Sequence, residues 1–327
     1  MPKTCSEPAA PTIRRTLHGP TMGTRWSVTL DDPSTTDLAE LESALAAAVR
    51  QVDEQMSPWK PDSDLNRLNH AAVNTWVALP PEMLSVLARA LEIARLSAGA
   101  FDPTVGALVE AWGFGAARDA PNPTAIQAAR TAGQGAGHAR LELDLTQGRA
   151  RKHAPLQVDL CGIAKGYAVD QMAAVLRVHG VHHALVALDG ELRALGSQAD
   201  GTPWPIALES PQAGVRAAHG VIELSDVAVA TSGDYRRFWQ VGKARLAHTM
   251  DLRRAAPVHN EVASVTVLAA DCMDADAWAT ALLVAGPDQG LALARRMGLE
   301  ALFLLRRAQG LVELGLGRFS QTSMNAG

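Results

Sequence analysis

"HHALVALDGELRALG", residues 182–196, reads as a strand, an Asp189–Gly190 turn and a second strand. Asp-Gly between two apolar runs is a strong short-range hairpin signal, and no other stretch of this chain carries it as clearly. Working outward, the segments on either side repeat the pattern. "ARLELDLTQGRARK" (139–152) reads as another hairpin, with Gln147–Gly148 in its turn. "GTRWSVTL" (23–30) places Trp26, Val28 and Leu30 on one side and Arg25, Ser27 and Thr29 on the other, a half-buried strand. Further strands are expected at 156–160, 204–209, 219–224, 262–269, 300–305 and 311–314.

Helices are fewer. From Thr36 to Met56 the apolar residues Leu38, Leu41, Leu45, Val49, Val52 and Met56 recur at steps of three and four. Pro80–Pro81 and Gly99 bracket a second helix, Pro81 to Ser97. Others are expected at 164–178, 274–285 and 288–297, with one short helix in the Ala/Gly/Pro-rich excursion 115–138. Hairpins outnumber strand–helix–strand units, so the fold class is α+β, with mainly antiparallel sheets packed with helices. No low-complexity linker divides the chain, and residues 20–320 are taken as one compact unit between a flexible leader (1–19) and a tail (321–327).

The chain has 327 residues, 47 % hydrophobic and 20 % charged, which is globular composition with enough length for a sizeable core. A net charge of −4 offers no global attraction to nucleic acid, so an anionic ligand must be held by a local site. Three widely separated cysteines, Cys5, Cys161 and Cys272, rule out a dense disulfide framework and a Cys-rich zinc knuckle. The N-terminal stretch lacks the apolar core of a secretion signal, and no run approaches the ~20 residues of a membrane span. The same sequence would result from trimming a signal, so the compartment stays open.

Several stretches carry possible chemistry beside a plainer reading. In "DADAWATALL" (274–283), Asp276 and Thr280 stack on one helix face as hard oxygen ligands suited to Mg²⁺ or Ca²⁺; alternatively Asp274 caps the helix and Asp276 sits in its first turn. "GAFDPTVGALVEAWGFG" (99–115) gathers Phe101, Trp112 and Phe114 beside glycines in a chain with 4 % aromatics, either a slot for a planar ligand or a packed aromatic core. "MSPWKPDSDLNRLN" (56–69) puts Trp59 in a Pro-framed loop, to stack on a ring or to cap the core. "ATSGDYRRFW" (230–239) leaves a strand through a Thr-Ser-Gly-Asp turn that offers N–H groups to an anion or is only a turn. "HTMDL" (248–252) pairs His248 with Asp251, a general base with its carboxylate or an incidental neighbour. "VDLCGIAKGYAVD" (158–170) is a strand, a glycine-bracketed turn and a lysine at a helix start, either a phosphate cradle or an ordinary corner; Cys161 reads as a small buried hydrophobe.

Taken in order, "MGTRWSVTL", "MSPWKPDSDLNRLN", "GAFDPTVGALVEAWGFG", "VDLCGIAKGYAVD", "LDGELRALG", "VATSGDYRRFW", "HTMDL" and "ADAWATALLVAG" resemble the ApbE-type flavin transferases, the FAD:protein FMN transferase family, over roughly residues 20–290. The resemblance implies an ApbE-like, T-fold-related architecture and a flavin site with Met22 and Trp59 near the isoalloxazine ring. Ala100, Phe101 and Asp102 would line the FAD, Asp159 and Lys165 would hold its polar groups, and Met250 would join the flavin-binding set. The family's metal, usually Mg²⁺, would be held by the Gly162 carbonyl and by the side chains of Asp276 and Thr280. The implied reaction moves FMN from FAD to a Thr or Ser hydroxyl of an acceptor protein and releases AMP. His248 is the preferred base, with Asp251 the alternative. A Mg²⁺-dependent FAD pyrophosphatase and a flavin-storing protein are the competing readings. Family members often read His-x-Ile-Asp-Pro-Arg-Thr-Gly; "HTMDLRRAAP" (248–257) lacks that Pro and Gly, so the loop beside the acceptor is expected to differ in shape. The family's usual secretion or lipoprotein signal is also missing, and Cys5 has no apolar run before it.

Overall fold

A computed structural model of the chain describes residues 12–33, 36–116, 120–132, 137–211, 217–235, 238–241 and 244–320. Eight strands make the main sheet: β1 (Thr12–Thr21), β2 (Thr24–Pro33), β3 (Ala184–Leu188), β4 (Glu191–Leu195), β5 (Ala228–Gly233), β6 (Val262–Ala269), β7 (Glu300–Arg307) and β8 (Gly310–Gly315). Their spatial order is their chain order, and every neighbouring pair is antiparallel. The sheet is therefore one long meander; among the described residues the other elements are insertions between adjacent strands, apart from a short 3-10 turn, Gly317–Ser320, after β8. The 182–196 stretch forms β3 and β4 as expected, with Asp189 in the left-handed region (φ 56°) at the turn. β1 takes in residues 12–19, which the sequence reading assigned to the leader; residues 1–11 and 321–327 lie outside the described residues.

Side-chain alternation gives the sheet two covered faces. On β7, Ala301, Phe303 and Leu305 enter the larger core, whereas Leu302 and Leu304 enter a second one. The second core is closed by an antiparallel hairpin, Trp204–Glu209 with Ala218–Leu224, whose Trp204, Ile206, Leu208 and Leu224 lie over Val229 and Leu268. The larger core is filled by helices. α1 (Leu38–Met56) starts where the Asp37 carboxylate accepts the Ala39 and Glu40 N–H groups at 3.0 and 3.1 Å, and buries Leu41, Leu45, Val49, Val52 and Met56. α2 (Asp64–His70) is too short to show an apolar period. α3 (Pro81–Leu96) begins on its proline, as expected, and α4 (Gly106–Ala111) and α5 (Pro123–Ala132) follow. α6 spans Ala164–Val178 and α7 spans Cys272–Met297. Gly286 (φ 80°, ψ −178°) breaks α7 just before Pro287, so the two helices expected there are real pieces of one run.

Two expectations fail. Residues 156–160 form no strand beyond a single parallel bridge between Val105 and Gln157. The Asn69 side chain takes their backbone instead, donating to the Val158 carbonyl at 2.9 Å and accepting its N–H at 2.7 Å, while the Asp159 N–H bonds the Pro103 carbonyl at 2.8 Å. A side-chain amide thus satisfies groups that a ladder would have satisfied. Thr231, Ser232 and Gly233, read as a turn, are still within β5, paired with β6.

The contact that positions the site is between α6 and α7. A Cβ on Gly166 would lie 2.3 Å from the Cys272 carbonyl oxygen, so only glycine admits this approach. Asp170, one turn further along α6, accepts the Cys272 and Met273 N–H groups at 3.0 and 2.9 Å and pairs with Arg193. It caps α7 from a neighbouring helix. Gly166→Ala is expected to push the helices apart at a cost of about 1–3 kcal/mol; a thermal melt matching the wild type would contradict this.

Candidate functional site

A cavity of about 1300 Å³ opens beside the α6–α7 contact. It exceeds the ~1,000 Å³ upper end of drug-sized pockets, leaving room for a dinucleotide-sized ligand. Met22, Trp59, Ala100, Phe101, Asp102, Asp159, Gly162, Lys165, His248, Met250, Asp276 and Thr280 all line it. Segments that are far apart in the chain are therefore brought to one chamber. The exception is Asp251, which is buried, does not line the cavity, and is bonded to Arg253 through Nε at 3.0 Å and a terminal guanidinium nitrogen at 3.1 Å. A carboxylate held this way braces the loop and is not placed to take a proton from a ligand in the cavity.

Met22 and Gly23 form the two-residue turn between β1 and β2, both with positive φ (47° and 69°). Their hairpin tip reaches the cavity. Trp59, 39 % exposed, projects from the loop between α1 and α2, fixed by Ser63 and Asn66 hydrogen bonds to the Ser57, Pro58 and Lys60 carbonyls. A large indole left open to the chamber has no core to cap, which favours the ring-stacking role among the two readings of that loop. Ala100, Phe101 and Asp102 are buried. Asp102 is occupied by the Thr104 N–H and hydroxyl and by the His138 N–H and Nδ1, so it shapes the wall more than it offers a free charge. Phe114 lies edge-on to His248 with ring centres 6.4 Å apart, and His248, Thr249 and Met250 follow one another along the lining.

The charged end of the cavity is built by the first turn of α6, the start of α7 and the β3–β4 turn. Lys165 Nζ lies 2.7 Å from Glu191 Oε1 and 3.7 Å from Asp189 Oδ2. Burial works against the lysine charge, but the carboxylates of Glu191, Asp276 and Asp189 outweigh it and raise the pKa above the ordinary lysine value. Asp276, 4 % exposed, accepts the Gly166 N–H at 3.1 Å through Oδ2, and its Oδ1 makes no hydrogen bond among the described residues. Burial and the nearby Glu191 charge push its pKa up to about 7, against the pull of Lys165. Burial likewise raises Asp159, although its carboxylate accepts the Cys161 N–H at 2.7 Å. Cys161 is half-buried and lines the cavity, a departure from the fully buried thiol expected; the buried one is Cys272. With the strand replaced by the Asn69 clip, the 158–162 segment stays at the surface of the chamber and carries the thiol there.

Among the described residues no group of three or more His, Cys, Asp or Glu side chains is arranged to hold a metal. The donors that do converge are of another kind. Thr280 is one turn beyond Asp276, and a Cβ on Gly162 would sit 3.1 Å from the Thr280 hydroxyl. Carboxylate, hydroxyl and a close glycine backbone are a hard oxygen set, and a buried carboxylate with one oxygen unbonded is where a divalent cation would balance charge. These residues fit Mg²⁺. Three residues at this end lie in stretches quoted above but are not singled out there. Glu191 stands at the start of what reads only as the second strand of a hairpin. Ser232, whose hydroxyl is 2.9 Å from that of Thr280, stands in an apparent turn. Asn69 holds the 158–162 segment across a long sequence separation that no local pattern encodes.

An α+β antiparallel meander thus carries a deep chamber with aromatic side chains and a cluster of charged and hydroxyl groups on its lining. The ApbE family model matches residues 22–303, and the chain belongs to the ApbE family. The FAD:protein FMN transferase of Vibrio cholerae serotype O1 is 37 % identical over 307 residues, covering 93 % of this chain and 91 % of that one. The FAD:protein FMN transferase of Haemophilus influenzae is also 37 % identical, over 312 residues, with 93 % and 90 % coverage. The structure of the flavin transferase ApbE from Vibrio cholerae superposes with a TM-score of 0.85 at 34 % identity, over 95 % of this chain and 99 % of that one. The apo flavinyl transferase ApbE of Pseudomonas stutzeri gives 0.83 at 34 % identity, with 94 % and 96 % coverage.

The loop after His248 shows how its altered sequence is accommodated. Ala255, where the family pattern noted above has glycine, adopts a left-handed conformation (φ 50°), in a turn closed by the Arg254 N–H to the Asp251 carbonyl and the Ala255 N–H to the Leu252 carbonyl. A left-handed residue with a Cβ costs roughly 1–2 kcal/mol, partly offset by its lower chain entropy when unfolded. Ala255→Gly is expected to stabilise the protein by about 0.5–1 kcal/mol, read as a higher Tm; a lower Tm would contradict it. The raised Asp276 has a second consequence. Its folded pKa of about 7 exceeds the 3.8 of an ordinary aspartate, so between those values the folded chain keeps a proton the unfolded chain gives up. Its contribution to stability therefore declines as pH rises through about 4 to 7 and is flat above. In chelator at pH 8, Asp276→Asn is expected to melt above the wild type; at pH 4 the gap should close.

Proposed function

We propose that this chain transfers FMN from FAD to a hydroxyl of an acceptor protein, forming a phosphoester and releasing AMP. Membership of the ApbE family and the transferase names of its relatives support the reaction class. The observation that carries the reading here is the chamber itself, which joins Lys165, Asp276, Thr280 and His248 from three separate insertions of the sheet.

Met22, Trp59 and Phe101 offer apolar and aromatic surface to the isoalloxazine ring, and Met250 extends it. Asp159 and Lys165 meet the polar end of the dinucleotide. Asp276, Thr280 and the Gly162 carbonyl would hold Mg²⁺, which when bound supplies positive charge to the pyrophosphate oxygens. Lys165 adds a fixed cation at the same place, where burial makes it more effective than in water. The chamber walls hold the acceptor Thr or Ser hydroxyl in line with the FMN phosphorus. The oxygen–phosphorus bond to the acceptor forms as the bridging bond of the pyrophosphate breaks, and AMP leaves with that electron pair. His248, half-buried on the lining, accepts the hydroxyl proton. Asp251 braces its loop through Arg253 and takes no proton.

The test incubates the protein with FAD, Mg²⁺ and a candidate protein bearing an acceptor threonine. A covalent flavin on that protein, found by mass spectrometry together with free AMP, is expected. FMN and AMP with no adduct would make the chain a pyrophosphatase, and binding without turnover a flavin store. His248→Ala is expected to lower the transfer rate by about 10²–10⁴-fold with FAD binding retained. An unchanged rate would take the base away from His248.

A further inference from the structure

The β3–β4 turn ends on a buried acid that the transfer chemistry leaves without a role. Glu191 is 3 % exposed. Its Oε2 accepts the Gly190 N–H at 3.2 Å, and its Oε1 accepts Lys165 Nζ at 2.7 Å. Lys165 makes no ion pair with Asp276, although the two are close enough to act on each other's charge. Two buried carboxylates thus compete for one lysine, and Glu191 has it. The remaining neighbour, Asp189, is 3.7 Å away with a 40 % exposed side chain, so water screens its claim. Were Glu191 neutral, the buried acid left for Lys165 would be Asp276, whose Oδ1 is unbonded among the described residues.

We propose that Glu191 is a positioning residue that holds Lys165 away from Asp276 and thereby keeps the Asp276 carboxylate available to a divalent cation. The inference rests on the metal-dependent reading above and deepens it. A lysine closing onto Asp276 would form an internal ion pair in the place of the metal. A half-buried lysine so near a metal carboxylate has to be restrained, and a second carboxylate, fixed by the hairpin turn, is the restraint. The arrangement also leaves Lys165 on the chamber lining, where it can be shared with an incoming phosphate.

A double-mutant cycle read by Mg²⁺ titration calorimetry, without FAD, tests this. Wild type, Glu191→Gln, Lys165→Met and the double variant are compared, with thermal melts to check folding. In the presence of Lys165, Glu191→Gln is expected to weaken Mg²⁺ binding roughly tenfold, within the range of coupling between contacting residues. In the Lys165→Met background the same substitution should cost less than about threefold, because no lysine remains to move. An equal loss in both backgrounds would mean that Glu191 acts only through space, and overturns the inference; so does an unchanged affinity in Glu191→Gln. If Glu191→Gln does not fold, Glu191→Asp replaces it, shortening the carboxylate with its charge kept. A loss that disappears with Lys165→Met then supports the inference, and unchanged affinity overturns it. Mg²⁺ binding by the wild type without FMN transfer would remove the functional reading alone. No Mg²⁺ binding by the wild type would remove the metal site and this inference together.

Discussion

The site depends on how closely the N-terminal turns of α6 and α7 approach. Gly166 allows the Cys272 carbonyl within a distance no side chain would tolerate, and its own N–H donates to the Asp276 carboxylate. Asp170 fastens the same contact by capping α7 from α6, and Arg193 of β4 closes over it. Arg89 of α3 adds a further tie, bonding both oxygens of Asp274. The Asp276 carboxylate and Thr280 hydroxyl thus stand on a helix whose first turn is held from three sides. Precision of this kind suits a reaction in which the protein chiefly positions groups and places charge.

That rigidity gathers charge in a low-dielectric place. Glu191 and Asp276 are both buried and both displaced upward by burial, with one lysine between them. An ion pair and a spare carboxylate in an interior stabilise a fold poorly, since desolvation offsets much of their attraction. Apolar residues of the same size would serve the core better. Their presence makes sense where a bound ligand brings balancing charge.

The sheet was legible because its information is local. The alternation of Trp26, Val28 and Leu30, the Asp189–Gly190 turn and the helical period of α1 each decide a backbone state within a few residues. The cavity-lining residues were legible only as a set of stretches in family order, since each alone has an ordinary structural reading. What escaped was non-local. The 156–160 segment has the composition of a strand, but Asn69, far earlier in the chain, claims its backbone and keeps it irregular. Glu191 opens a hairpin strand and Ser232 sits in a stretch that reads as a turn, and what they do comes only from what lies opposite, Lys165 and Thr280. A pair formed across two insertions of a sheet leaves no periodicity to find.

The loop 248–257 joins these two levels. Its sequence departs from the family pattern at Leu252 and Ala255, and sequence alone therefore implied a different shape. In this chain the backbone turns at Ala255 in the left-handed region, where Asp251 grips Arg253 and the Met250–Asp251 strand pairs with Ala256–Pro257. Several hydrogen bonds over-determine the turn, and a modest conformational cost at one alanine is not enough to undo them. The carboxylate first read as an alternative base thus has a structural task. By fixing the turn that follows His248 it braces the segment that runs along the chamber lining.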